Sequence, residues 1–175
     1  AANDFATFQY TGDAADGKKI TIGFKPDFIV SKSNTAITGA AAFSSRPDGN
    51  RGFMHFAGAN RDDLYGAYTE ENGFTVYNGS VNSANLINVS AALHAGIAFK
   101  KIPGLLDVFS YVGNGVDTRN ILTTVRNPGF IWIKADNVAA EGVARISQYP
   151  SNTSKQIDGG VVTDNIQEMN IGYFQ

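Results

Sequence analysis

Residues 26–32, PDFIVSK, carry the strongest fold signal in the sequence, because a close copy, PGFIWIK, occurs at residues 128–134. Each copy places an apolar run directly after a proline, and such a run between turn-forming residues is typical of a β-strand. Upstream, FQYTGD at 8–13 returns as FSYVGN at 109–114. The order and spacing of the two series agree to within one residue, which indicates an internal repeat.

Most of the chain has the pattern of short β-strands separated by turns. Glycine and asparagine interrupt the sequence every few residues, and the apolar residues alternate or occur in short runs. Only residues 90–95 have helix propensity, and they are too few for more than a single turn. The predicted strands are 5–10, 19–24, 28–32, 53–56, 64–68, 74–77, 97–100, 108–112, 130–134 and 171–174.

The pattern predicts an all-β fold, an antiparallel β-sandwich of jelly-roll type built from two unequal copies of a strand-turn-strand unit. We expect the first copy at 1–103 and the second, shorter copy at 104–175, sharing one compact core. A strand matching GIAFK at 96–100 has no counterpart in the second copy. Either the second copy is simply shorter or cut, or it leaves a groove that a strand from a neighbouring subunit fills.

Composition argues against several classes of function. The chain has 175 residues, which fits one domain or two small lobes, and its net charge of −2 gives no broad attraction to nucleic acid. It has no cysteine, so disulfides, thiolate zinc sites and thiol nucleophiles are excluded. Its apolar runs are far shorter than the roughly 18 residues of a membrane helix. We therefore expect neither nucleic acid nor a membrane as a partner.

The supply of catalytic side chains is small. His55 and His94 are the two histidines, and neither stands near a Gly-x-Ser-x-Gly nucleophile motif. The carboxylate doublets 62–63 and 70–71 would point to opposite faces of a strand, so we expect them in solvated turns. Residues 70–73 are predicted to form a hairpin loop with a positive-φ turn at Asn72 and Gly73. The sequence predicts no catalytic and no cofactor-binding residue.

Calcium is the one ion for which the sequence offers ligands, without an EF-hand spacing. The candidate oxygen donors stand on predicted loops and are Asp13, Asp16, Asp27, Asp62 and Asp63. Because Asp and Gly are also common in ordinary turns, we expect no metal site.

Aromatic residues provide the candidate binding groups. They could stack on sugar rings if they are exposed, and packing inside the protein is the alternative for each. The candidates are Tyr65, Tyr68, Tyr77, Tyr111, Tyr149, Tyr173 and Trp132, of which Tyr65, Tyr68, Tyr77 and Tyr149 are the predicted binding residues. Trp132 is expected in the core, because Phe130 and Trp132 share one face of a strand that should be buried on both sides. Residues 35–42 and 58–63 are the expected exposed loops.

The repeated motifs resemble a domain of unassigned biochemical function found in tail and other virion proteins of bacteriophages. The matching stretches are YTGD at 10–13, GFKPDFIVSK at 23–32, GFTV at 73–76, GIAFK at 96–100, YVGNG at 111–115 and PGFIWIK at 128–134. The resemblance covers nearly the whole chain. It departs from the family at Val30 and Ser31, which replace a tryptophan and a hydrophobic residue. It implies a virion structural protein displayed on the tail or the capsid.

Two functions are expected from these observations. The first is a non-catalytic virion structural protein, such as a tail-fibre or capsid-decoration component, that forms homo-oligomers or joins other virion proteins through strand edges and apolar patches. The alternative is a carbohydrate- or receptor-binding module that recognises a bacterial surface glycan. Polysaccharide hydrolysis would require two acids about 5–10 Å apart, for which the sequence gives no evidence.

Overall fold

The computed structural model describes residues 4–34, 41–44, 67–77, 87–134, 142–156, 161–163, 165–167, 169–170 and 172–175. Residues 41, 68 and 161–163 are described by their backbone alone. The chain divides into two compact units, unit 1 with residues 1–57 and 61–101, and unit 2 with residues 58–60 and 102–175. Both contain antiparallel sheets, so the predicted all-β fold is confirmed. None of the described helical residues belongs to a helix long and apolar enough to cross a membrane.

The described residues of unit 1 form two antiparallel sheets. Its strands are β1 (Phe5–Thr11), β2 (Lys18–Thr21), β3 (Phe28–Ser33), β4 (Ala41–Ser44), β5 (Ala67–Glu70), β6 (Gly73–Val76) and β7 (Leu93–Phe99). One sheet has the order β1-β7-β3-β4 and the other the order β2-β6-β5. The last strand in sequence, β7, therefore lies inside its sheet, between β1 and β3.

A hydrophobic core forms from apolar residues of both sheets of unit 1. Phe8 and Tyr10 of β1 alternate with exposed residues, as expected for a strand with one buried face. The rings of Phe8 and of Phe74 from β6 meet edge to face, with their centroids 4.9 Å apart. Because the two rings come from different sheets, this contact belongs to a sandwich-like core.

The part of unit 2 that the structure describes also forms two antiparallel sheets. Its strands are β8 (Ile121–Leu122), β9 (Phe130–Ile133), β10 (Val143–Ile146), β11 (Thr153–Gln156), β12 (Val161–Thr163), β13 (Met169–Asn170) and β14 (Tyr173–Phe174). The sheet orders are β12-β11-β10-β9 and β13-β14-β8. Its hydrophobic cluster, within the described residues, centres on Ile121, Ile131, Ile166 and Phe174.

The two units pair equivalent strands in the same register. In unit 1, β3 pairs with β4 so that Phe28 lies opposite Ser44. In unit 2, β9 pairs with β10 so that Phe130 lies opposite Ile146. Phe130 follows Phe28 in the sequence by the same number of residues as Ile146 follows Ser44, so the two pairs have the same register. The smaller, three-stranded sheets agree in order as well, since β2-β6-β5 matches β8-β14-β13.

Single hydrogen bonds repeat this correspondence between the smaller sheets. Ile20 of β2 lies opposite Phe74 of β6, and Ile121 of β8 lies opposite Phe174 of β14. Just beyond these pairs, the Ile22 N–H donates to the Asn72 carbonyl at 2.9 Å. In unit 2 the Thr123 N–H donates to the Gly172 carbonyl at 3.0 Å. These correspondences support the interpretation of the chain as two related units.

Several predicted strands differ from the observed ones. The segment 108–112 forms no strand, and β7 begins at Leu93, so the predicted turn is limited to Ser90 and Ala91. Pairing with a strand on each side favours the extended form of β7 over local helix propensity. Ala42 is buried in β4, where an exposed loop was expected. The predicted strand 53–56 and the predicted loop 58–63 lie outside the described residues.

The predicted hairpin between β5 and β6 is present, but its turn differs from the prediction. Glu71 and Asn72 form the turn, and neither Asn72 nor Gly73 has a positive φ. Gly73 instead lies against the backbone of Ile20, where a Cβ atom would overlap the Ile20 carbonyl oxygen. Glycine is required here by the close approach of β2.

Candidate interaction surface

Three aromatic rings form a buried cluster in unit 1. Phe8 and Tyr10 of β1 are each 8% exposed, and Phe74 of β6 is 1% exposed. The ring centroids of Phe8 and Tyr10 lie 6.1 Å apart. The rings of Tyr10 and Phe74 lie 6.4 Å apart with an interplanar angle of 72°.

Unit 2 contains the same three-ring cluster at the equivalent positions. Phe109 and Tyr111 lie 6.5 Å apart, and both contact Phe174. The rings of Tyr111 and Phe174 lie 6.4 Å apart with an interplanar angle of 73°, nearly the geometry of the unit 1 pair. The burial differs, however, because Phe109 is 40% exposed and Tyr111 41% exposed. The cluster is thus closed in unit 1 and open in unit 2.

In unit 1 the cluster is covered by residues 87–99, here called the cover segment. The Tyr10 hydroxyl donates to the Ile87 carbonyl, and the His94 ring stacks on the Tyr10 ring at 4.9 Å with an interplanar angle of 5°. Gly96 lies so close to Phe8 that a Cβ atom would overlap the Phe8 ring. Burial raises the pKa of the Tyr10 hydroxyl, while the nearby Ser31 hydroxyl acts in the opposite direction.

The first part of the cover segment is held by polar contacts with the turn after β1. The Asn88 amide donates to Asp13 Oδ1 at 3.0 Å and to the Ala15 carbonyl at 2.7 Å. The Asp13 N–H donates to Asn88 Oδ1 at 3.1 Å. A Cβ atom on Gly12 would overlap the Val89 carbonyl oxygen. The cover segment therefore closes over β1 and its turn.

Hydrogen bonds from Ala15, Lys18 and Asn88 to the Asp13 carboxylate lower the pKa of this group to about 2. The Ala15 N–H donates to Oδ1 at 3.0 Å, and Lys18 Nζ forms an ion pair with Oδ2 at 3.0 Å. These donors explain the low pKa of Asp13, and they make its side chain the capping group of the turn.

Unit 2 has an open cleft at the place that corresponds to the start of the cover segment. Its volume is about 170 Å³. Among the described residues, no heavy atom lies within 4 Å of a Cβ position on Gly113, the counterpart of Gly12. The turn itself has the same construction, since Asn114 Oδ1 accepts the Val116 N–H at 3.1 Å. The lining residues with counterparts in unit 1 are Tyr111, Gly113, Asn114, Ile121 and Phe174.

The outer edge of β9 corresponds to the edge of β3 that pairs with β7 in unit 1. In the described part of the chain β9 is the last strand of its sheet, whereas its counterpart β3 pairs with β7 as well as with β4. Phe130 on β9 is 58% exposed, so the prediction that this strand is buried on both sides is wrong. The physical reason is visible in unit 1, where Phe28 has Phe99 of β7 opposite it, with ring centroids 6.4 Å apart. We call Phe109, Tyr111, Gly113 and the outer edge of β9 the open face.

The Arg119 side chain lies beside the open face. The Arg119 guanidinium is 5.9 Å from the centroid of the Tyr111 ring, within the range of a cation–π contact, and it donates to the Val112 carbonyl. Burial raises the pKa of the Tyr111 hydroxyl, and the positive charge of Arg119 opposes this shift. Arg119 thus helps to hold the segment that carries Tyr111.

The tyrosines predicted to bind glycan have varied surroundings. Tyr65 lies outside the described residues, and Tyr68 belongs to β5. Tyr77 is half-buried directly after β6. Tyr149 is half-buried, and Lys155 Nζ lies 5.5 Å from its ring centroid. A role of these tyrosines in glycan binding stays a prediction.

The acidic and imidazole groups form no metal-ligand cluster within the described ranges. Asp27 Oδ2 accepts the Lys101 N–H at 2.7 Å, which fixes the end of β7. His94 is fully buried, its Nε2 accepts the Val89 N–H at 3.2 Å, and burial lowers its pKa. His55, Asp62 and Asp63 lie outside the described residues.

Comparisons of the chain with protein-family models, with curated proteins and with solved structures found no match. The relation to virion proteins therefore stays a prediction. Sequence reasoning did not single out Phe109 as a site residue, and it named Tyr111 only as one of seven aromatic residues that could stack on sugar rings. The available signal was the repeat itself, because the second copy keeps the aromatic positions of the first and has no match to 96–100.

Proposed function

We propose that this chain is a non-catalytic structural protein that assembles with copies of itself through the open face of unit 2. The observation that supports the proposal is the contrast between two equivalent ring clusters, one buried and one exposed. Natural proteins rarely leave a cluster of aromatic rings open to water unless another molecule covers it. A virion surface, the location implied by the resemblance, is the expected setting.

The size of the exposed aromatic surface fits an association site. An aromatic side chain carries about 150–250 Å² of surface, so the exposed parts of Phe109, Tyr111 and Phe130 amount to roughly 300 Å². The largest apolar patch of a typical monomer is about 300–600 Å² and is often functional. Burial of this surface together with the outer edge of β9 would supply both apolar and main-chain contacts.

The proposal is tested by measuring the mass of the chain with light scattering over a hundredfold range of micromolar concentrations. We expect a discrete oligomer, which Phe109→Asp converts to a monomer, because a charge on the open face cannot be buried without a partner. Leu122→Asp is the matched control. Leu122 is also a large exposed apolar residue of unit 2, but it lies on β8 outside the open face. A monomeric mass over the whole range would contradict self-assembly.

Glycan binding is the second candidate function, and the cleft of unit 2 is the feature that favours it. Asn114, Asp117, Arg119 and Gln167 line the cleft around the Tyr111 ring. An aromatic ring surrounded by amide and charged groups is a common arrangement for sugar recognition. We expect binding on a bacterial glycan array to be lost with Arg119→Ala and retained with Lys155→Ala. Equal binding by both variants would contradict this candidate.

A further inference from the structure

We infer that the open face of unit 2 binds one extended segment of another protein chain. This segment has the same types of side chain, in the same order, as residues 87–99 of unit 1. The inference rests on the proposed function in that both use the open face, and it adds the identity of the natural occupant. Unit 1 provides the template, because its own cover segment occupies the corresponding surface. The partner is therefore defined by the residues that make these contacts in unit 1.

The register of β7 defines the half of the partner that pairs with β9. In unit 1, Phe28 lies opposite Phe99, Ile29 opposite Ala98, and Ser31 opposite Gly96. The counterparts of Phe28, Ile29 and Ser31 on β9 are Phe130, Ile131 and Ile133. The added strand runs antiparallel to β9 and places an aromatic residue opposite Phe130, a small residue opposite Ile131 and a glycine opposite Ile133.

The ring cluster defines the side chains at the centre of the partner. His94 covers the Tyr10 ring face to face, and Gly96 covers the Phe8 ring without room for a Cβ atom. Tyr111 and Phe109 present equivalent rings in unit 2. The partner therefore carries a flat side chain over Tyr111 and, two residues later, a glycine over Phe109.

The cleft of unit 2 defines the N-terminal end of the partner segment. Asn88 occupies the corresponding place in unit 1, where its amide exchanges hydrogen bonds with the turn that contains Asp13. In unit 2 the turn contains Asn114, whose amide offers both donors and acceptors. An asparagine of the partner fits here, with its backbone passing over Gly113, where a Cβ position meets open space.

Binding would also convert the segment 108–112 into a strand. Its counterpart β1 pairs with β7 along its whole length. In unit 2 the segment forms no strand, and within the described residues no strand lies beside it. An added strand would hydrogen-bond to this segment on one side and to β9 on the other, as β7 does in unit 1. Such strand addition supplies main-chain hydrogen bonds for affinity and side-chain pockets for specificity.

The inference is tested by titrating the full chain with a synthetic peptide that has the sequence of residues 87–100, INVSAALHAGIAFK. We expect saturable one-to-one binding by calorimetry, an increase in β-structure by circular dichroism, and a change in the fluorescence of Trp132 on β9. A peptide with Gly96→Val is the control ligand. It should bind at least about tenfold more weakly, because the added side chain meets the Phe109 ring.

Two variants of the chain locate the binding site. Tyr111→Ala should weaken peptide binding by about tenfold or more, while Leu122→Ala should leave it unchanged. Equal affinity for the two peptides, or an equal effect of the two variants, would overturn the inference.

The outcomes separate this inference from the proposed function. If Phe109→Asp dissociates an oligomer and the peptide still does not bind, the open face joins copies of the chain by direct packing, so the strand partner is wrong and the proposed function stands. If the chain is monomeric and binds the peptide, self-assembly is wrong and the strand partner stands. A monomer that does not bind the peptide contradicts both.

Discussion

Phe8 and Phe109 occupy equivalent places in their ring clusters, but one is buried and the other is not. We expect Phe8→Ala to lower the free energy of unfolding by about 3–5 kcal/mol, because a buried ring leaves a cavity. Phe109→Ala should cost less than about 2 kcal/mol, because part of its ring is already in water. Denaturant titration of both variants, followed by circular dichroism, measures the two values. Equal costs would show that Phe109 is covered in solution.

His94 should make unit 1 sensitive to acid. Burial lowers the pKa of His94, so the unfolded chain binds a proton more readily than the folded one. The contribution to stability is then fully present above the unfolded pKa of about 6.5 and is lost as the pH falls through the lower folded pKa. We expect the free energy of unfolding to decrease below about pH 6.5, and His94→Gln to reduce this slope. An unchanged slope in the variant would assign the acid sensitivity to other groups.

At the scale of single elements, the cover segment makes the difference between the two units. Gly12→Ala should destabilise the protein by about 1–3 kcal/mol or more, because the new Cβ atom overlaps the Val89 carbonyl oxygen. Gly113→Ala is the matched variant in unit 2, where no atom obstructs the Cβ atom. It should be neutral or stabilising by up to about 1 kcal/mol. Thermal unfolding of the two variants measures this contrast, and similar losses would contradict the equivalence of the two turns.

Strands with strong apolar patterns could be predicted from the sequence, and strands defined by their neighbours could not. β1, β3 and β9 follow from alternating or continuous apolar residues, and the structure contains them. β11 and β12 were not predicted, since polar residues such as those of TSKQ at 153–156 give little periodic signal. The segment 108–112 has a strand pattern, yet it forms no strand because a strand requires a partner for its backbone hydrogen bonds.

The candidate site could be predicted only in outline. The missing match to 96–100 indicated a groove in the second copy, but the exposure of Phe109, Tyr111 and Phe130 depends on which neighbours are present. Sequence alone does not contain that information for an aromatic residue on a strand. It therefore led to four tyrosines, Tyr65, Tyr68, Tyr77 and Tyr149, of which Tyr77 and Tyr149 are half-buried and belong to different units.

At the scale of the whole molecule, each unit has its own sheets and its own hydrophobic cluster. Unit 1 contains a cover segment and a closed ring cluster. Unit 2 repeats the strand registers and the geometry of the tyrosine–phenylalanine ring pair, with the corresponding surface open. Completion of unit 2 by another chain would make assembly and folding of this unit one coupled process.

Hydrogen exchange of the chain alone at low micromolar concentration tests the central claim most directly. Amides of 8–12 lie beneath the cover segment and should exchange slowly, whereas amides of 109–113 lie on the open face and should exchange rapidly. The peptide of residues 87–100 should slow exchange at 109–113 and 130–133 and leave 8–12 unchanged. Equal, slow exchange of both segments in the monomeric chain without peptide would contradict the account, because unit 2 would then already be closed.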